Sequence, residues 1–301
     1  MGAITLKNKR ILVTGGNGYL GTFLVKALEK ENANVFVASR NAELLYNHFT
    51  VDITDFDAIH KVVQEIQPDV VFHLAANISR SRDFAIYNDM AKVNVTGTLN
   101  VLQALQNLDA HFIFTSSSEI YGNNTSPFNE NQLPKPVSPY SLSKVNAEML
   151  IQTYCLNHNK KFTNLRIFNF YGEHMPEDFF IPQMINSLKR EEDFLMTKGE
   201  QTRDFLYVDD VVQALLLTAK NTNSYNETMN VCSGKGTKLN ELAAAVNKKM
   251  NAKAKIIVGA IPYRDNEVWE MIGDKSKIKQ KLGFEPQVNL ENGIQRVLHN
   301  S

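Results

Sequence analysis

The sequence predicts an α/β protein: a doubly wound parallel sheet followed by a smaller α+β lobe. Three observations predict it. Short β-branched runs alternate with longer helix-period segments through the first half of the chain, the pattern of successive βαβ units. A glycine-rich turn, Thr14-Gly15-Gly16-Asn17-Gly18-Tyr19-Leu20-Gly21, joins the first run to the first helical segment. The run at residues 69–74 is apolar along its length, as a strand covered on both faces must be. In order, Arg10–Thr14 reads as a strand, 18–31 as a helix, 34–38 as a strand, 58–66 as a helix and 69–74 as a strand. Residues 89–108 read as one long helix and 111–116 as a strand. Residues 123–138, rich in Asn, Pro and Ser, read as a loop. A helix within 137–158 and a strand at 162–168 complete this half.

Beyond Tyr171 the rhythm changes to helices at 182–190, 209–220 and Leu239–Met250, with a short strand at Ile256–Val258. The expected division is a dinucleotide-binding domain over 1–170 and a substrate lobe over 171–301. A segment near 205–230 is expected to pack back on the sheet. The 301 residues carry 32 Lys+Arg against 32 Asp+Glu, a formal net charge of +0. That balance argues against nucleic acid or an anionic membrane as the main partner. The two cysteines, Cys155 and Cys232, lie in no metal-ligand spacing, and no metal is expected. With no secretory pattern at the N-terminus and no apolar run of membrane length, a cytoplasmic location is expected.

Gly15, Gly18 and Gly21 suit a pyrophosphate site: a tight turn, close backbone approach to the phosphates, and close helix–strand packing. The helix N-terminus beyond them adds partial positive charge. At the end of the second strand stand Ser39 and Arg40, with no acid. An acid there would take a ribose 2′-hydroxyl; an arginine suits a 2′-phosphate, and Ser39 can add a hydrogen bond. NADP(H) is therefore favoured over NAD(H). Asp52, followed by Ile53, is placed to accept from an adenine amine.

Tyr140 and Lys144 lie four residues apart, so a helix puts both on one face. An ammonium and an oxidised nicotinamide beside the phenol would lower its pKa from about 10 toward the range acid–base work needs. Ser117, in Thr115-Ser116-Ser117-Ser118-Glu119, can orient the same oxygen, and Glu119 adds a carboxylate.

The chain resembles the extended short-chain dehydrogenase/reductase family, in its nucleotide-sugar epimerase, dehydratase and 4-ketoreductase group. The resemblance rests on Thr14–Gly21, Asp52-Ile53, His73-Leu74-Ala75-Ala76, Asn94-Val95-Thr96-Gly97-Thr98, Thr115–Gly122, Tyr140–Lys144, Arg166–Gly172 and Arg203–Asp209. It implies a Rossmann-type sheet with a C-terminal substrate lobe. It implies that Tyr140 is the general acid/base, that Lys144 binds the nicotinamide ribose and that Ser117 bonds the sugar O4. It places Asn17, Tyr19, Leu20, Leu74, Ala75, Ala76 and Asn94 at the cofactor. Ser118, Asn169, Arg203 and Arg264 fall at the nucleotide-sugar, Arg264 gripping its diphosphate. Glu119 stands where the family's 4,6-dehydratases carry the glutamate that takes a C5 proton.

The implied function is NADPH-dependent reduction of a nucleotide-diphosphate 4-keto-6-deoxy sugar. Arg40 supports net reduction, and the segments 199–205 and 260–267 are most similar to reductases making 6-deoxyhexoses. The alternatives are a nucleotide-sugar 4-epimerase, then a 4,6-dehydratase, and, outside catalysis, a dinucleotide-sensing binding protein. The chain departs from the family after Tyr171-Gly172, where Glu173-His174-Met175-Pro176 replaces the usual Gly-Pro. By resemblance, the helices at 89–108 and 137–158 pair two subunits into a homodimer.

Overall fold

The computed structural model describes residues 4–41 and 47–300. The first half contributes β1 (Arg10–Thr14), α1 (Tyr19–Lys30), β2 (Asn34–Ser39), β3 (Asn47–Thr50), α2 (Phe56–Ile66), β4 (Val70–His73), α3 (Tyr87–Ala91), α4 (Thr98–Ala104), β5 (His111–Ser117), α5 (Pro139–Asn157) and β6 (Lys161–Ile167). Beyond these come β7 (Asn169–Tyr171), α6 (Phe180–Lys189), β8 (Phe194–Met196), β9 (Thr202–Tyr207), α7 (Val208–Ala219), β10 (Glu227–Val231), β11 (Gly236–Lys238), α8 (Leu239–Met250), β12 (Ile256–Val258), β13 (Glu270–Met271), α9 (Ser276–Leu282) and α10 (Leu290–Asn300).

The main sheet runs β10-β6-β5-β4-β1-β2-β3, and every neighbouring pair in it is parallel. The strand order reverses between β1 and β4. That is the switch point at which open α/β sheets bind ligands, outside the carboxyl ends of the strands.

Strand side chains alternate between faces, and β1 shows the consequence. Ile11 and Val13 enter a core shared with α1 and α7, including Leu24, Val25, Val211 and Leu215. Leu12, between them, enters the opposite core with Val63 of α2, Leu102 of α4 and Ile151 of α5. The sheet is thus covered on both faces, the arrangement anticipated from the run at 69–74. A third cluster, with Tyr171, Met184, Phe194 and Val246, forms the interior of the lobe. β10 pairs with β6 from Glu227↔Thr163 to Val231↔Ile167, so a late segment completes the sheet.

The long helix expected over 89–108 is instead divided. A π-helical stretch, Lys92–Gly97, separates α3 from α4. A methyl group on Gly97 would lie 2.7 Å from Ile53 Cδ1, so the wide turn and the missing side chain let Ile53 seat against the helix. α5 starts where its cap dictates. The Ser138 hydroxyl accepts from Ser141 N at 3.1 Å, the Ser141 hydroxyl accepts from Ser138 N at 3.0 Å, and Pro139 occupies the first turn. This reciprocal cap puts Tyr140 in the first turn and Lys144 one turn later, both at the carboxyl end of β5.

Candidate active site

The glycine turn has the shape of an anion cradle. Gly15 adopts a φ of +71°, and a Cβ there would stand 2.7 Å from Ala75 N. A Cβ on Gly21 would stand 2.5 Å from Gly15 O, which is why only glycine lets α1 pack against the turn. α1 has no side-chain cap and no acid in its first turn, leaving its leading N–H groups open to an anion. A dinucleotide pyrophosphate fits this turn. The Tyr19 ring packs between Phe23 and Phe170 at 5.2 and 6.2 Å, and burial pushes its phenol pKa up. Leu20 packs into the same core.

The end of β2 is tied to this turn. Asn17 Nδ2 donates to Asn41 O at 2.8 Å, and Ser39 Oγ donates to the same carbonyl at 2.9 Å. Ser39 Oγ also lies 2.8 Å from His48 Nε2. Its single proton is therefore used inside the protein, and Ser39 shapes the loop while Arg40 stands exposed beside it. His48 was not foreseen, because nothing in its local sequence signals pairing with β2. An open cleft of ≈ 610 Å³ is lined by Arg40, Ala76, Arg80, Val93 and Asp178, among others, a volume in the range of small-molecule sites. Asp52 is exposed, with Oδ1 accepting from Thr54 N at 2.8 Å. Ile53 is buried, its carbonyl accepting from Asn100 Nδ2 at 2.9 Å.

A buried hydroxyl–imidazole chain sets the other wall. His73 Nδ1 lies 2.7 Å from Thr14 Oγ1 and His73 Nε2 lies 3.0 Å from Thr98 Oγ1. Burial, with the Lys144 charge adding to it, pushes the imidazole pKa down to about 3. His73 is thus a neutral brace between the glycine turn and α4. Leu74, Ala75 and Ala76 follow it; Leu74 N donates to Thr14 O at 3.0 Å. Asn94 is a bracket: Oδ1 accepts from Asn77 N at 2.7 Å, and Nδ2 donates to Asn77 O and to Ser143 Oγ, both at 2.9 Å. It fixes the segment after β4 to α5, one residue before Lys144.

The structure brings Ser117, Glu119, Tyr140 and Lys144 together. The Ser117 hydroxyl accepts from Glu119 N at 3.2 Å and faces the Tyr140 phenol, whose raised pKa it opposes. Lys144 is 2% exposed. Its Nζ donates to Thr115 O at 2.8 Å and lies 4.5 Å from the Phe114 ring centroid and 5.8 Å from that of Tyr140. The expectation of a lowered tyrosine pKa is not met by the protein's own groups. Burial first, then the Glu119 charge, push the Tyr140 phenol up, and only the Ser117 hydrogen bond opposes them. The reason is visible at Lys144, whose burial pushes its pKa down to about 7. At neutral pH it carries only part of a charge, and its amine points to a carbonyl. Glu119 is solvent-facing, yet the surrounding protein raises its pKa by desolvation, against the pull of Arg82, Arg80, Arg203 and Arg264.

Arg203 Nη2 donates to Glu267 Oε1 at 2.6 Å, and its Nη1 to Val268 O at 2.7 Å. Arg264 is exposed and makes no ion pair among the described residues. Guanidinium exceeds carboxylate around Glu119 and Glu267, a balance suited to a diphosphate. Ser118 and Asn169 both turn toward the buried sulfur of Met271, at 3.2 and 3.5 Å. Met271, Arg80 and Arg82 were not singled out from sequence. Each joins the site through contacts far away along the chain.

Residues 11–232 match the model of the NAD dependent epimerase/dehydratase family. Over 96% of this chain and 97% of the other, the fold superposes with a TM-score of 0.89 and 30% identity on the UDP-glucose 4-epimerase of Thermotoga maritima, solved with UDP-glucose. It also matches MoeE5 in complex with UDP-glucuronic acid and NAD, with a TM-score of 0.89 and 26% identity over 96% of this chain and 97% of that one. The CDP-abequose synthase of Salmonella muenchen is 28% identical, over 97% of each chain.

Proposed function

The chain belongs to the NAD dependent epimerase/dehydratase family, and on that footing we propose that it is an NADPH-dependent 4-ketoreductase of a nucleotide-diphosphate 4-keto-6-deoxy sugar. The observation that carries this reading is the placement of Tyr140: the cap of α5 sets it in the first turn beside Ser117, with Lys144 Nζ 5.8 Å from its ring centroid, and burial keeps the phenol protonated at neutral pH. A phenol so placed is an acid waiting for a developing alkoxide. Ser117 orients the sugar O4, and Tyr140 gives that oxygen its proton. Lys144, balanced between charge states near pH 7, stabilises the phenolate left behind. A bound nicotinamide dinucleotide supplies the hydride that reaches C4. Arg40, exposed at the end of β2 with no acid beside it, holds the 2′-phosphate that distinguishes NADPH. Arg203 and Arg264 take the sugar diphosphate. Residues 1–170 act as the cofactor domain and 171–301 as the substrate lobe.

The likeness to CDP-abequose synthase supports a reductase. The likeness to a UDP-glucose 4-epimerase favours a second reading, a 4-epimerase whose cofactor cycles without net consumption. The raised pKa of Glu119 suits a third, 4,6-elimination. The protein acts as a homodimer paired through α5, where Met149 and Leu156, two helical turns apart, stand 64% and 56% exposed. The test is a panel of nucleotide-diphosphate 4-keto-6-deoxy sugars incubated with NADPH. One NADPH is oxidised per sugar reduced, and Tyr140→Phe abolishes the oxidation. Sugar interconversion with no loss of NADPH overturns the proposal in favour of an epimerase.

A further inference from the structure

The irregular segment after β4 carries two arginines that reach across to the lobe. Arg80 donates through Nη1 to Asp178 O and lays its guanidinium 4.1 Å from the centroid of the Phe179 ring. Arg82 donates through Nη1 to Val137 O at 3.2 Å and to Asn266 O at 3.3 Å. Neither forms an ion pair among the described residues; both spend their donors on backbone carbonyls. Arg80 and Asp178 face the same cleft as Arg40, so this contact spans the cleft at the end of β2. Val137 directly precedes the cap of α5. Asn266 lies between Arg264 and Glu267, and Glu267 is the partner of Arg203. Arg82 therefore ties the loop bearing the diphosphate arginine to the start of the helix bearing Tyr140.

We propose that Arg80 and Arg82 are positioning residues with separate duties. Arg80 fastens the lobe across the cleft and slows dinucleotide exit. Arg82 holds the Arg264–Glu267 loop in register with Tyr140 and so sets affinity for the nucleoside diphosphate moiety. This rests on the dinucleotide and diphosphate sites described above, and on nothing about the direction of the reaction. Arginine suits both tasks: its planar guanidinium stacks on a ring while donating, and it can serve two carbonyls at once. A lysine amine makes a carbonyl bond but cannot reproduce the flat stacking.

Binding measurements test the proposal without turnover. NADPH release is timed by stopped-flow fluorescence after mixing the complex with excess NADP⁺. Calorimetry gives the affinity for UDP, CDP and GDP, the tightest wild-type binder being carried into the variants. Arg80→Ala should speed NADPH release by about tenfold or more and leave nucleoside diphosphate affinity within about threefold. Arg82→Ala should weaken the nucleoside diphosphate by about tenfold or more and leave NADPH release within about threefold. Arg80→Lys should recover only part of the retention. Phe179→Leu, which removes the ring alone, should give an intermediate release rate and covers the case in which Arg80→Ala does not fold. NADPH leaving Arg80→Ala at the wild-type rate, or Arg82→Ala binding the nucleoside diphosphate as the wild type does, overturns the proposal. So do equal shifts of both quantities in both variants, which is general loosening. Failure of the ketoreductase reading shows instead as absent NADPH oxidation with these binding differences intact.

Discussion

Replacing Lys144 by methionine tests the electrostatics at the centre of the site. The amine is 2% exposed, donates to Thr115 O at 2.8 Å and lies beside the Phe114 ring and the neutral His73. Its nearest compensating charge, Glu148, is committed to Arg166 at 2.8 Å. Burial consequently pulls the lysine pKa from its ordinary 10.5 to about 7, with Glu148 opposing. In the unfolded chain the proton stays on until about pH 10.5; in the native protein it leaves near pH 7. Between those limits the unfolded state binds more protons, so native stability climbs with pH. At about 1.4 kcal/mol per pH unit, the gap is worth about 5 kcal/mol. Methionine has similar length and never titrates. The wild type, measured against Lys144→Met, should therefore be weakest at pH 6 and gain about 4 kcal/mol by pH 10. Urea unfolding of both proteins across that range, without dinucleotide, gives the difference and cancels the groups they share. A difference that stays flat from pH 6 to 10 would refute the reasoning.

Arg40→Ala should raise the KM for NADPH by about 10- to 100-fold, the worth of a charge-assisted hydrogen bond, with the KM for NADH changed by less than about threefold; steady-state kinetics with each dinucleotide decide it. Glu148→Gln leaves Arg166 buried without its carboxylate, both side chains being under 10% exposed. Stability should fall by about 3–5 kcal/mol in urea titrations. Met149→Glu puts a charge on the exposed face of α5 and should turn a dimer into a monomer in sedimentation velocity, with the circular dichroism spectrum unchanged.

The parts of the fold legible in the sequence are those written locally. β1 with its glycine turn is a run of apolar residues feeding glycines and then a helical period. α8 and β12 have the limits their patterns suggested. The Tyr140–Lys144 pair was legible because a helix imposes four-residue spacing and Ser138 with Ser141 starts that helix on cue. What escaped notice depends on distant partners. β10, Glu-Thr-Met-Asn-Val, has little strand pattern of its own; it exists because β6 offers an open edge. The break between α3 and α4 coincides with Gly97, whose missing side chain leaves room for Ile53, a partner distant in the sequence. Arg80 and Arg82 acquire roles through carbonyls 98 and 184 residues away. The protein's own groups push the Tyr140 pKa up, the opposite of what spacing suggests for the pair with an oxidised nicotinamide beside it. Spacing gives proximity to Lys144 but not the burial that removes the lysine's charge.

The central claim is net hydride delivery to a sugar C4 with Tyr140 as the acid, and isotope transfer tests it most directly. NADPH deuterated at the transferring position is incubated with the protein and the 4-keto-6-deoxy sugar nucleotide it accepts, and the product is read by mass spectrometry and NMR. One deuterium is expected at C4 for each NADPH oxidised, and none when Tyr140 is phenylalanine. Sugar converted with no deuterium at C4 and NADPH undiminished would contradict it.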